Sequence, residues 1–285
     1  MAAHNITSMA LFCDFENVAL GVRDAQYAKF DIDRVLERLL LKGSIVVKKA
    51  YCDWDRYKDF KKPMHEASFE LIEIPHVKIS GKNSADIRLV VDALDLCYTK
   101  EHVDTFVIIS GDSDFSPLVS KLRENNKTVI GVGVKSSTSD LLIANCDEFI
   151  FYDDLVRQEE KKRQGRARRK QPATAKQTAA VSGSAEPQPK APKIETTEED
   201  RKQQAFDLVV DTIDALAGER DQDEKIWGSM VKQTLKRRNP GFNESYFGFR
   251  TFSELLEEAQ TRKLLTLEPD QKSGGYIIRR APRPE

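Results

Sequence analysis

The chain has 285 residues, with 45 basic against 46 acidic side chains and a net charge of −1. That length allows two domains with their own cores, and the near-neutral balance excludes a whole-chain attraction to polyanions. No apolar run approaches the roughly 20 residues of a membrane helix, and the start MAAHNITSMALF lacks the basic head and apolar middle of a secretion signal, so a cytoplasmic protein with no membrane partner is expected.

Six short runs rich in β-branched or aromatic residues read as strands: 9–15, 44–52, 69–75, 105–110, 127–134 and 148–152. Segments with helical spacing lie between them. In DIDRVLERLLLKG, Ile32, Val35, Leu36, Leu39 and Leu40 form one stripe, with Asp31 as its cap and Gly43 as its stop. SADIRLVVDALDLCYTK places Ile87, Val90, Val91, Leu94 and Cys97 in phase, and FSPLVSKLREN carries Pro117 in its first turn. Alternating strands and helices predict an α/β fold with a mostly parallel sheet covered on both faces.

In such sheets ligands bind beyond the carboxyl ends of the strands, where strand order reverses. The polar residues just after strands are mostly acidic. Asp14, Glu16 and Asn17 follow the first run, Asp112 and Asp114 the fourth, and Asp86 opens a helix. Carboxylates gathered without basic partners raise one another's pKa values unless a cation intervenes. Hard oxygen donors of this kind suit Mg²⁺ or Mn²⁺, which keep open positions for substrate phosphate. Asp114 has a second reading as the cap of the helix beginning near Phe115. Asp92 falls off the face of Asp86 and reads as a solvated charge, while Arg56, Lys58, Lys61 and Lys62 suggest a basic loop beside the cleft.

Other catalytic sets are missing from the sequence. There is no phosphate-binding G-x-x-x-x-G-K-[ST] loop and no G-x-S-x-G elbow, and GVGVKS (131–136) lacks the full dinucleotide fingerprint. His4, His65, His76 and His102 share no motif, and the scattered Cys13, Cys52, Cys97 and Cys146 read as buried reduced thiols.

After residue 155 the composition changes. RQEEKKRQGRARRK (157–170) is strongly basic, and the Ala, Pro, Gln and Ser-rich stretch that follows has too few apolar residues to offset its ordering entropy, so 156–197 is expected to be a disordered linker. Helical spacing resumes at Glu198 with Phe206, Val209, Val210, Ile213 and Leu216, stopped by Gly218. Further helices fit EKIWGSMVKQTLKRR and FRTFSELLEEAQTRK, and LLTLEPDQKSGGYIIRR reads as two strands joined by a turn. Three helices and a hairpin over 198–280 predict a small winged helix.

Two resemblances sharpen these readings. LFCDFENVAL, GKNSADIRLVVDAL, FVIISGDSDFSPLVSKLRENNKTVIGVGV and SSTSDLLIANCDEFIFY together resemble the NYN domain, the LabA-like branch of the PIN-like nucleases, over residues 9 to about 155, within a first domain placed at 1–155. The resemblance implies a Rossmann-like PIN fold and a metal-dependent ribonuclease. It makes Asp14, Asp86 and Asp112 metal ligands, Asp114 a ligand or its supporting neighbour, Asn17 a group that orients substrate or water, and Asp147 a recurrent acid. The usual K-G-x-D motif reads GKNSAD here, so Lys82, a candidate RNA contact, lies four residues before Asp86 with the glycine ahead of it. KRRNPGFNESYFGFRTFSELLEEA followed by GGYII resembles the LOTUS, or OST-HTH, domain, implying RNA binding and in some members a protein partner. Lys232, Lys236, Arg237, Arg238 and Lys272, with Arg279 and Arg280, are the candidate phosphate contacts.

Three functions fit: an Asp-based ribonuclease whose second domain holds RNA, a noncatalytic RNA-binding regulator that keeps the fold, and a haloacid dehalogenase-like phosphatase. The last wants an Asp two residues after Asp14, where the chain has Glu16. A homo-oligomer is compatible with all three.

Overall fold

The computed structural model describes residues 7–74, 83–169, 198–218, 225–270 and 275–280, without the side chains of 161–169 and Arg280. Lys82, Lys272, His4, His76 and the 170–197 stretch lie outside the described residues.

Six parallel strands form one sheet: β1 (Ser8–Asp14), β2 (Ser44–Cys52), β3 (Glu70–Glu73), β4 (Thr105–Ile109), β5 (Thr128–Gly133) and β6 (Glu148–Phe151). Their spatial order is β3-β2-β1-β4-β5-β6, so direction of build-up reverses between β1 and β4. The two-residue period of β1 divides its side chains between two cores. Met9, Leu11 and Cys13 join one apolar cluster, and Ala10 and Phe12 join the other. β4 does the same with Val107 and Ile109 against Phe106 and Ile108. A strand buried on both faces must read as a continuous apolar run, which is why these two were plain in sequence.

Helices α1 (Phe15–Asp24), α2 (Ile32–Leu40), α3 (Lys58–Glu66), α4 (Ser84–Thr99), α5 (Ser116–Glu124), α6 (Asp140–Asn145) and α7 (Tyr152–Arg169) connect or follow the strands. Asp31 caps α2 by accepting the Asp33 amide at 3.1 Å, as its position before the apolar stripe requires. The glycines of GVGVKS serve packing. A Cβ on Gly131 would stand 2.3 Å from the Phe149 ring.

The structure corrects several expectations. The buried stripe of α4 is Leu89, Ala93 and Cys97, while Ile87 and Val91 are 63% and 56% exposed. This helix is apolar over most of its circumference, so periodicity alone left its inward face open. Asp92 is no solvated charge: its carboxylate accepts the Tyr51 hydroxyl at 2.9 Å and pairs with Arg88 at 2.9 Å and Lys49 at 3.3 Å. Lys58, Lys61 and Lys62 sit on α3 rather than in a loop. The basic tract after Arg157 continues α7 to Arg169 instead of beginning a linker. It contains no proline, and the first turns of α7 are anchored by Arg157 on Asp154 and by Glu159 on Arg34.

The C-terminal elements are α8 (Glu198–Gly218), β7 (Ile226–Trp227), α9 (Gly228–Arg238), α10 (Phe252–Thr261), β8 (Leu265–Pro269) and β9 (Tyr276–Arg280). β9 lies antiparallel between β7 and β8. Ile226 and Trp227, expected within the second helix, form a strand instead, because pairing with Ile278 and Ile277 satisfies their backbone before α9 begins. A third apolar cluster, including Phe206, Val209, Leu235, Phe242, Leu255 and Ile278, belongs to these elements alone.

Candidate functional site

Asp14 is both the last residue of β1 and the cap of α1. Its Oδ1 accepts the Asn17 amide at 3.4 Å, and its Oδ2 accepts the Ser110 hydroxyl at 3.0 Å. Only 7% of Asp14 is exposed. Burial and the neighbouring Asp86 carboxylate push it up to about 7, against the two hydrogen bonds, with Asp112 adding to the rise. A carboxyl group that is half protonated near neutrality needs such an environment.

β4 supplies the facing wall. Beyond Ile109, the Ser110 hydroxyl accepts the Asp112 amide at 3.2 Å, and the Asp112 carboxylate accepts the Asp114 amide at 3.0 Å. Asp112 therefore caps the short 3-10 turn Ser113–Phe115, and Asp114, expected as the cap, lies exposed at the rim. An Asp in extended backbone just before a turn reaches the amide two residues on, while Asp114 is already within the turn. Asp86 approaches from the first turn of α4. Its carboxyl is raised by burial, then by Asp112, Asp114 and Glu16.

Ser110, which the sequence reading did not single out, matters here, as does Glu16, already noted after the first strand. Ser110 links both walls of the crevice, and Glu16 adds a further carboxylate beside Asp86, itself paired with Arg56 at 3.1 Å. The signal for Ser110 was its place directly after a buried strand. Asn17, expected to orient substrate or water, uses its Oδ1 to accept the Gly111 amide at 2.9 Å and so holds the β4 loop. Gly111 is needed there, since a Cβ would stand 2.6 Å from the Ser137 carbonyl oxygen. Asp147 lies away from this cluster, accepting the Val129 amide at 2.8 Å and pairing with Arg123 at 3.1 Å.

Among the described residues no Lys or Arg pairs with Asp14, Asp86, Asp112 or Asp114, and no three His, Cys, Asp or Glu side chains stand as a group that could hold a metal ion without rearrangement. The donor chemistry fits a hard divalent cation: oxygen ligands only, several of them carboxylates, with Asp14 and Asp86 both raised by burial and by their acidic neighbours.

Residues 8–153, about half of the chain, match the NYN domain. The chain belongs to the NYN family. This NYN chain is 26% identical over 152 residues to meiosis regulator and mRNA stability factor 1 of Xenopus tropicalis, covering 53% of this chain and 9% of that protein. It is 29% identical over 112 residues to an uncharacterised protein of Methanocaldococcus jannaschii, covering 39% and 43%. The chain thus spans less than half the length of these curated relatives. The crystal structure of a protein of unknown function from Vibrio parahaemolyticus is also similar, at 28% identity and a TM-score of 0.49, covering 54% of this chain and 98% of that one. The NYN family is a PIN-like nuclease family.

The second set of candidates is divided. Lys232 pairs with Glu244 at 2.8 Å, and Arg238 donates to the Asp211 carbonyl at 3.3 Å. Arg237 is exposed and Lys236 half-buried on the last turn of α9, and Arg279 pairs with Glu268 at 3.3 Å.

Proposed function

We propose that this protein is a divalent-metal-dependent ribonuclease that hydrolyses RNA phosphodiester bonds at the Asp14–Asp86–Asp112 crevice, with a winged-helix C-terminal unit of the LOTUS type that binds the same RNA. The carrying observation is the convergence of these carboxylates at the strand-order reversal of a NYN sheet, with Asp14 pushed up to about 7 by burial and Asp86. RNA as substrate draws support from the relative named an mRNA stability factor.

Asp14, Asp86 and Asp112 would hold the cation, with Asp114 at the open rim. When bound, a divalent cation supplies water activation and neutralises charge on the leaving oxygen. The remaining work belongs to the chain. Ser110 and the Asn17 amide fix the Asp14 carboxylate, and the Asn17 side chain fixes the loop that carries Asp112. Asp14 would have to give up its proton to hold such a cation, so activity would rise with pH through about 7. Lys236 and Arg237 would take phosphates away from the cut, a contact that orders RNA without reading its sequence.

The test is a Mg²⁺ and Mn²⁺ titration with a structured and a single-stranded RNA, comparing the natural protein with Asp14→Asn and Asp112→Asn. Cleavage by the natural protein, with a fall of at least about 10²-fold in either variant, is expected. Equal RNA binding by all three with no cleavage under either metal would instead make the protein a noncatalytic RNA-binding regulator.

A further inference from the structure

The C-terminal unit meets the NYN unit through residues 240–250, the segment just after the basic end of α9. This segment has two faces. Phe242, Phe247 and Phe249 point into the C-terminal core, where the rings of Phe242 and Phe247 stack at 5.2 Å. Pro240 and Gly241 meet β6, and Asn243 and Tyr246 meet α7 and Lys135 beyond β5. The Pro240 carbonyl accepts the Phe149 amide at 3.0 Å, which occupies a backbone donor of the edge strand β6. Gly241 lies against Phe151, whose ring a Cβ would approach to 2.9 Å. Asn243 donates its Nδ2 hydrogen to Asp154 at 3.0 Å, and Arg157 pairs with the other carboxylate oxygen at 3.3 Å. Asp154 is 4% exposed, so a carboxylate is sealed into this seam with both oxygens engaged.

Tyr246 adds a second anchor. Lys135 Nζ stands 3.4 Å from its ring centroid, and the Arg157 and Arg201 guanidinium carbons stand 5.3 and 5.7 Å away. Cations drawn from β5's exit, α7 and α8 thus gather at one aromatic ring. Lys135 and Asp154 both follow the carboxyl ends of their strands, the same end of the sheet as Asp14 and Asp112. One residue, Asn239, separates the last residue of α9, Arg238, from Pro240.

We propose that residues 240–250 clamp the C-terminal unit to the β6–α7 edge of the NYN unit, so that RNA held by α9 is presented to the acidic crevice at one fixed separation and is cut at a constant offset. The clamp stands on the contacts themselves, and the constant offset rests on the ribonuclease reading above. Two units joined only by a chain would sample many separations, and their cuts would scatter.

The experiment uses the full chain with spin labels at Ser120→Cys and Gln233→Cys, both exposed, and pulsed dipolar spectroscopy. A single narrow distance is expected in the otherwise natural protein. It should be lost in Asn243→Asp with Tyr246→Ala, which sets two carboxylates together and removes the ring. The exchange of Asp154→Asn with Asn243→Asp, which restores one amide facing one carboxylate, should return the narrow distance. A broad distribution in the unmodified seam, or an unchanged narrow one in the Asn243→Asp, Tyr246→Ala protein, overturns the clamp. In parallel, an end-labelled structured RNA should give one dominant cut with the natural protein and scattered cuts when the seam is broken. Scattered cuts alongside a narrow distance overturn the constant offset, and a narrow distance with no cleavage at all overturns the ribonuclease reading while the clamp stands.

Discussion

The Ser110 hydroxyl donates to Asp14 Oδ2 at 3.0 Å, tying the end of β4 to the end of β1 where strand order reverses. The same oxygen of Ser110 accepts the Asp112 amide, so one hydroxyl sets the positions of two carboxylates. Ser110→Ala removes both bonds in a buried place and should cost about 1–3 kcal/mol of stability. Because the lost bond favours the charged form of Asp14, the variant's activity profile should also move toward higher pH. Chemical denaturation and a pH–rate series check the two effects, and an unshifted profile would detach Ser110 from the chemistry.

The raised Asp14 also predicts how stability depends on pH in the metal-free protein. Its folded value of about 7 exceeds the ordinary 3.8, so the folded molecule keeps a proton that the unfolded chain releases. The associated stability is fully present below about pH 4 and is lost as pH rises to about 7, amounting to something on the order of 4 kcal/mol. Asp86 and Asp154, both raised by burial, act in the same direction. Thermal unfolding without divalent ions should therefore give a lower Tm at pH 8 than at pH 5 from these groups. Asp14→Asn should flatten that difference and raise Tm at pH 8.

Divalent cations should reverse the loss. An ion that binds the folded state at 100 times its Kd adds about 2.7 kcal/mol. Adding Mg²⁺ or Mn²⁺ at pH 8 should raise Tm in the natural protein and leave Asp14→Asn and Asp112→Asn nearly unmoved. Equal shifts in all three proteins would place the ion elsewhere.

Gly111→Ala tests the loop. The added Cβ would meet the Ser137 carbonyl oxygen at 2.6 Å, a backbone atom with little freedom to give way. Overpacking of this kind costs roughly 1–3 kcal/mol. Displacing the loop also moves Asp112, so cleavage per folded molecule should fall with stability, measured by active-site titration beside calorimetry.

Asp92→Ala should separate stability from chemistry. It leaves the Tyr51 hydroxyl without its carboxylate and removes an acid from Arg88 and from Lys49, which keeps Glu70 at 3.7 Å, a loss of about 2 kcal/mol. Urea midpoints should drop while cleavage by the folded fraction stays unchanged. A selective loss of cleavage would bring Asp92 into the site.

The sequence by itself determined what is written in local order. Strands β1 and β4 showed as unbroken apolar runs because both of their faces are buried, Asp31 announced α2, and the acids after the first and fourth strands marked the crevice. Only the tertiary structure decided which neighbour each polar group meets. Ser110 and Asp14 are far apart in the chain, as are Asp92 and Tyr51, and Asn243 and Asp154. No local pattern encodes such pairs, since a hydrogen bond depends on elements brought together by packing. The inward face of α4 was settled in the same way. Its circumference is apolar enough to bury in more than one phase, and contact with the sheet selected Leu89, Ala93 and Cys97. Asp112 rather than Asp114 became the cap because the backbone leaving β4 is extended at Asp112 and already turning at Asp114.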